Sequence, residues 1–155
     1  MKDIGIIFSI LLLLITIQST IYYLVIRRIK FIEWLFFNAC APSNLAYLIG
    51  FVVWLITNDL TIIYLGLLPM FFFGTLGMFV LPWKGMNIIP QVGHLIMTLN
   101  LGWLIIFTFK VNSFREVAIG LLLSIFVFSI FISMQQMYVK NHPEDFKRIL
   151  LMEYN

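Results

Sequence analysis

The sequence predicts an all-α polytopic membrane protein, a single bundle of five transmembrane helices followed by a short amphipathic tail helix. Three observations predict it. The 155-residue chain is 62% hydrophobic, 17% aromatic and only 11% charged, with a mean hydropathy of +1.03, far outside the range of soluble globular domains. Its apolar runs are continuous and about twenty residues long, the length at which a helix crosses the hydrocarbon core, and they lack the two-residue alternation of barrel strands. They also recur along the whole chain, so residues 1–155 read as one integral membrane domain in the lipid bilayer, with 140–155 as its tail.

The first span covers about 4–26 and ends at the basic cluster Arg27, Arg28 and Lys30. Its apolar run exceeds a signal-peptide core and no small-residue cleavage site follows, so it is expected to be retained. The stretch from Phe31 to Thr57 is too long for one straight span and contains Pro42. It forms either one kinked helix, or an interfacial piece over 31–38 and a span over 40–57. A polar loop at Asn58 and Asp59 leads to the third span, about 60–81, with Pro69 and the glycines Gly66, Gly74 and Gly77.

Residues Pro82 to Gly85 make a tight turn, and the fourth span covers about 87–109, with Asn87 as its cap and Pro90 in its first turn. The polar segment from Lys110 to Glu116 precedes the fifth span, about 117–139. In the tail, Asn141 or His142 can cap, Pro143 fits the first turn, and Glu144 and Asp145 complement the positive helix end. Phe146, Ile149 and Leu150 form an apolar stripe, which predicts a helix lying on the cytoplasmic leaflet as an anchor or docking surface.

Five spans place the termini on opposite sides. Arg27, Arg28, Lys30, Lys84, Lys140, Lys147 and Arg148 gather on one side, against Lys2, Lys110 and Arg115 on the other, so the positive-inside rule puts the N-terminus outside and the C-terminus in the cytoplasm of a multi-pass cell-membrane protein. Trp34 and Trp83 fall near the inner border and Trp54 and Trp103 toward the outer half, where interfacial aromatics are expected. The net charge of +3 is scattered over span borders and gives no nucleic-acid footprint.

Several chemistries find no framework. Cys40 is the single cysteine, and a copper or zinc site from Cys40, His94 and Met97 has no recognisable spacing. His142 lies in the tail, which argues against a bis-histidine haem. There is no HExxH, GxSxG or phosphate loop. No cofactor, metal or catalytic residue is assigned.

The spans hold no Asp, Glu, Lys or Arg, and Glu33 lies near the inner border. His94 is therefore the most informative residue, because an ionisable group inside a membrane is a functional candidate by default. At about 100° per residue Asn87, Gln91, His94 and Thr98 share one stripe of span four, while Asn100 faces nearly the opposite way. Polar groups facing lipid would be costly, so the stripe faces other helices or a hydrated cavity. Span one offers Ser9, Thr16, Thr20 and Tyr23, span two Asn44 and Tyr47, and span five Ser129, Ser133 and Gln136.

The candidate substrate-binding set is His94, Gln91, Thr98, Asn44 and Gln136, in a pocket opening inward. The competing reading makes these groups interhelical glue. Ala46 with Gly50, and Gly120 with Ser124, read as close-packing pairs, and Pro69 frees the carbonyl of Leu65.

Three functions fit. The first is a small transporter, channel or substrate-binding subunit for a neutral or weakly polar solute, acting as a homo-oligomer or within a larger membrane complex. The second is a non-catalytic complex subunit, assembly or immunity factor. The third is a membrane enzyme acting on a lipid or isoprenoid, with His94 as general base and Glu33 at headgroup level.

Overall fold

In a computed structural model the chain is 87% helix, with no strand among the described residues, and five helices are long and apolar enough to cross a membrane. The structure describes residues 1–80, 82–84 and 88–154, the side chains only to residue 149. The cap expected at Asn87, the Gly85 end of its turn and the Leu150 member of the tail stripe lie outside what is described.

Helix α1 spans Lys2–Ile26, its last turn widened to a π-helix over Tyr22–Ile26. Of the two shapes open for residues 31–57 the chain takes the second: α2 (Phe31–Phe37) and α3 (Cys40–Thr57) are separate helices. Asn58 ends α3 in the left-handed conformation at φ 58°, its N–H bonded to the Trp54 carbonyl at 2.8 Å, a conformation that Asn tolerates because its short polar side chain can bond locally. In the loop beyond, the Thr61 N–H donates to Asp59 at 2.8 Å and holds that carboxyl below the usual carboxylate range.

The third spanning segment, α4 (Ile63–Val80), is irregular. It runs as a 3₁₀ turn over Ile63–Gly66, a short α segment over Leu67–Pro69, a π-helix over Met70–Thr75 and an α turn over Gly77–Val80. Pro69 lacks the N–H that the Leu65 carbonyl would accept. Ser124 supplies the missing donor, its hydroxyl reaching Leu65 O at 2.7 Å. Ser124→Ala would leave that carbonyl without a partner, and we expect a loss of about 1–2 kcal/mol, read as a lower unfolding temperature in detergent; an unchanged midpoint would show that the kink does not need the bond.

Helices α5 (Ile88–Val111) and α6 (Phe114–Asn141) complete the five spans, and α7 (Pro143–Tyr154) is the tail helix. The core lies between α1, α3, α4 and α5, around Leu12, Tyr47, Phe51, Ile63, Tyr64, Met70, Met97 and Leu104. Helix α6 is peripheral. It touches α4 through Gly120 and Ser124, both buried, and α2 through Phe131, Gln135 and Tyr138, and leaves Leu122, Phe126 and Met137 exposed.

The structure adds packing partners to two of the expected features. Trp34, Trp54 and Trp103 are core residues at 3%, 6% and 4% exposure, and only Trp83 stands out from the bundle. Trp54 and Trp103 stack among Phe51 and Phe107, and the Trp103 indole donates to Met1 O at 2.9 Å. Gly5 lets α1 lie close against the Trp103 ring. The tail helix, expected to rest on the leaflet, is docked on α2. Arg148 donates to both oxygens of Glu33 at 3.2 and 3.3 Å, Ile149 is buried with Trp34 and Ile29, and Phe146 meets Phe37.

Candidate functional site

Near the end of the bundle that carries α2 and the tail, α1, α3 and α5 part around a cavity of about 60 Å³. Thr16 and Ser19 line it from α1, Trp34 from α2, Cys40 and Asn44 from α3, and Gly93, His94 and Met97 from α5. Its place follows from local structure. Cys40 is the first residue of α3 and Asn44 lies one turn on, so both side chains share a face. His94 sits six residues into α5, about 9 Å from the start of that helix.

Two of the lining residues carry a buried polar atom without a partner. Trp34 presents an indole N–H that meets no acceptor, and Asn44 an Oδ1 that meets no donor, in residues 3% and 5% exposed. The orientation of Asn44 is set from behind: its amide nitrogen donates to Thr16 Oγ1 at 3.1 Å, and that hydroxyl donates to Leu12 O at 2.8 Å. Orphaned buried polar groups are costly, on the order of 1–3 kcal/mol each, so an unpaired acceptor on Asn44, beside an unpaired donor on Trp34, which borders both this cavity and the smaller one next to Glu33, marks a place for a polar molecule. Polar lining with room for about two waters is also the condition under which a cavity is filled rather than dry.

His94 is 6% exposed and held on both ring nitrogens. Nδ1 lies 3.2 Å from Gln91 Oε1 and Nε2 lies 3.3 Å from Cys40 Sγ. Gln91 is fully buried behind the histidine, and its amide nitrogen donates to Met78 O at 3.3 Å. That commits its oxygen to the imidazole. Nδ1 therefore carries the proton, and the Nε2 lone pair faces the Cys40 thiol, which also reaches Phe73 O at 3.8 Å.

Of the five residues expected to bind, the structure brings His94 and Asn44 to the cavity and puts Gln91 behind His94. Thr98 is elsewhere. Its hydroxyl meets Thr75 at 3.2 Å and its own helix at His94 O, 2.9 Å, so it links α5 to α4. Gln136 is a correction, and Ser129 and Ser133 go with it: all three are exposed on α6. The inward residue is the neighbouring Gln135, which donates to Phe36 O. One residue turns a helical side chain by about 100°, and the α6 face that packs is fixed by Gly120 and Ser124.

The sequence reading passed over Trp34, taken for an interfacial ring, and Cys40, set aside for lack of spacing with His94. Their signals were faint: Cys40 stands one turn before Asn44, and Trp34 one turn before Asn38 on the same approach. Glu33 is not at the site, since Arg148 and the Lys30 N–H occupy its oxygens.

A second polar layer lies deeper on the same three helices. Asn100 donates to Phe8 O at 3.0 Å and leaves Oδ1 unpaired, while the Ser9 and Tyr47 hydroxyls face each other without hydrogen-bond geometry. A larger cavity of about 100 Å³ between α3, α4 and α6 is lined by Pro42, Pro69, Phe128 and Phe131, and its serines are already bonded to backbone carbonyls. It offers volume without recognition. No family, curated protein or solved structure matches the chain, so the meaning of the site rests on its geometry.

Proposed function

We propose that the chain is a multi-pass cell-membrane protein that binds a small neutral or weakly polar solute, acting as a transporter or as the substrate-binding subunit of a larger membrane assembly. The observation that carries this reading is that two residues lining one cavity, Trp34 and Asn44, carry an unsatisfied donor, Nε1, and an unsatisfied acceptor, Oδ1. Such a pair suits a solute that both accepts and donates a hydrogen bond, and the lack of a carboxylate or ammonium among the lining residues suits one without net charge. The distribution of Lys and Arg supports an outside N-terminus and a cytoplasmic C-terminus, which puts the cavity in the inner half.

A complex-subunit reading draws on α6, whose Ser129, Ser133 and Gln136 face outward beside Met134 and Met137. Amide and hydroxyl groups at a lipid-facing surface gain about 1 kcal/mol each from a partner helix. A homo-oligomer and a heteromeric complex both satisfy them.

One experiment separates the readings. Native mass spectrometry from mild detergent should show a small-molecule adduct on the wild-type chain that is lost in His94→Ala and in Asn44→Leu, both of which should elute and unfold like the parent. An adduct that survives both substitutions would remove the site. A stoichiometric second protein, with no small molecule bound, would favour the subunit reading.

A further inference from the structure

The geometry points to Cys40 as a nucleophile that takes the acyl group of a neutral ester or thioester bound in this cavity, with His94 as its general base. This rests on the reading that the cavity binds a neutral, weakly polar molecule, and it names the class of that molecule.

Three groups stand in the order that acyl transfer requires. Cys40 Sγ lies 3.3 Å from His94 Nε2, and His94 Nδ1 lies 3.2 Å from Gln91 Oε1, which is the order nucleophile, base and orienting group. Cys40 also opens the 18-residue helix α3, whose positive end stabilises negative charge on the sulfur. The unpaired Trp34 N–H is the independent observation that a ligand is missing. A buried donor asks for an acceptor, and the carbonyl oxygen of an ester, which gains charge as the carbonyl is attacked, is one that rewards it. The unpaired Asn44 Oδ1 suits the water or alcohol that removes the acyl group.

The same observation decides against a soft metal ion. Cys40, His94 and Met97 do line one cavity, a donor set that copper(I) accepts. A cation there would face the positive end of the Trp34 N–H dipole and leave that donor unsatisfied.

Size and rim limit the substrate. About 60 Å³ holds the ester group and little else. The rim is apolar, with Ile15 half-buried and Pro90 exposed, so the acyl chain leaves the cavity between α1 and α5 toward hydrocarbon.

The steps balance without an oxidant or reductant. The thiol proton passes to His94 Nε2 as Sγ bonds to the carbonyl carbon; the bond from that carbon to the leaving oxygen or sulfur breaks, and the imidazolium returns the proton to the departing alcohol or thiol. A water held at Asn44 then attacks the thioester while its proton goes to His94. The carbon–Sγ bond breaks, the acid leaves, and Sγ recovers a proton.

The test uses the full chain in detergent with p-nitrophenyl butyrate, following nitrophenolate release, intact mass and peptide mapping. We expect one butyryl group on Cys40, none in Cys40→Ala or Cys40→Ser, and acylation slowed about 100-fold in His94→Ala and by a similar factor in Trp34→Phe, which keeps the ring and loses the donor. Asn44→Leu, in which the ester binds more weakly, should reach the burst only at raised ester concentration, and then without turnover. Gln91 is a positioning residue: Gln91→Leu should slow acylation and shift its pH profile, and Gln91→Glu, which keeps the acceptor, should restore the rate. Butyrylation at other residues, or an unchanged rate in His94→Ala, would overturn the inference. So would stoichiometric copper(I) binding lost in Cys40→Ala without any acylation. Non-covalent retention of the ester, with no transfer, would overturn it and leave the binding reading standing; no association of either kind would overturn both.

Discussion

Gly50→Ala will destabilise the protein by about 2 kcal/mol, while the same substitution at Gly102 will stabilise it. Both glycines lie inside spanning helices, and exchanging Gly for Ala gains up to about 1 kcal/mol of helix propensity at an open position. At Gly102 nothing lies within 4 Å of the added carbon. At Gly50 it would stand 2.6 Å from Ile62 O and 2.8 Å from Ile63 Cα. Both neighbours are backbone, so no rotamer change relieves the overlap and α3 must back away from α4, at about 1–3 kcal/mol beyond the propensity gain.

The contact is reciprocal, since a carbon on Gly66 would lie 2.7 Å from Tyr47 Cβ. On the other side of α4, a carbon on Gly120 of α6 would lie 2.7 Å from Thr61 O. Because α3 also carries Cys40 and Asn44, the shift would reach the cavity. Thermal unfolding of both variants in one detergent decides the matter. Shifts of the same sign would mean that the α3–α4 contact has slack.

Arg148→Met should release the tail helix from α2, raising amide exchange over residues 143–149 about 30-fold. Glu33 is 1% exposed, and Arg148 is half exposed. Removing the arginine leaves a buried carboxylate with only the Lys30 N–H at 3.1 Å and a largely exposed Lys30 ammonium at 3.8 Å. Stranding a buried charge costs about 3–5 kcal/mol when both partners are buried. With the arginine half in solvent, about 2 kcal/mol is the appropriate discount, and each 1.4 kcal/mol is tenfold in exchange.

Glu33→Gln should be milder, because the arginine it abandons can turn to water. Equal protection in Arg148→Met and wild type would show that Ile149 and Phe146 hold the tail without the ion pair. Trp34 packs on Ile149 and also lines the cavity, so release of the tail should weaken solute binding there.

Much of the fold was legible because a membrane simplifies the code. Lipid requires every backbone group to be satisfied within its segment, so length and hydropathy alone delimit the helices. Five were expected and five are found, with ends within a few residues of expectation except in the third, whose interior is broken rather than evenly helical. Periodicity also separated Asn100 from the His94 stripe correctly: Asn100 turns to Phe8 of α1 while His94 turns to Cys40. It did not say which faces would meet. Ser129, Ser133 and Gln136 form as regular a stripe as Gln91, His94 and Thr98, yet the first stays outside and the second is divided between a cavity and the α4 contact.

By itself, then, the sequence determined the solvent, the helices and the histidine worth attention, since those depend on composition and on neighbours three or four residues apart. Tertiary structure decided the rest: that Cys40 reaches His94 across 54 positions, that Arg148 finds Glu33 across 115, and that the Trp34 N–H and the Asn44 carbonyl are left unpaired around one space. Those meetings depend on how closely helix backbones can approach, which here is set by single glycines at the crossings, and a missing side chain has no periodicity from which its partner can be read.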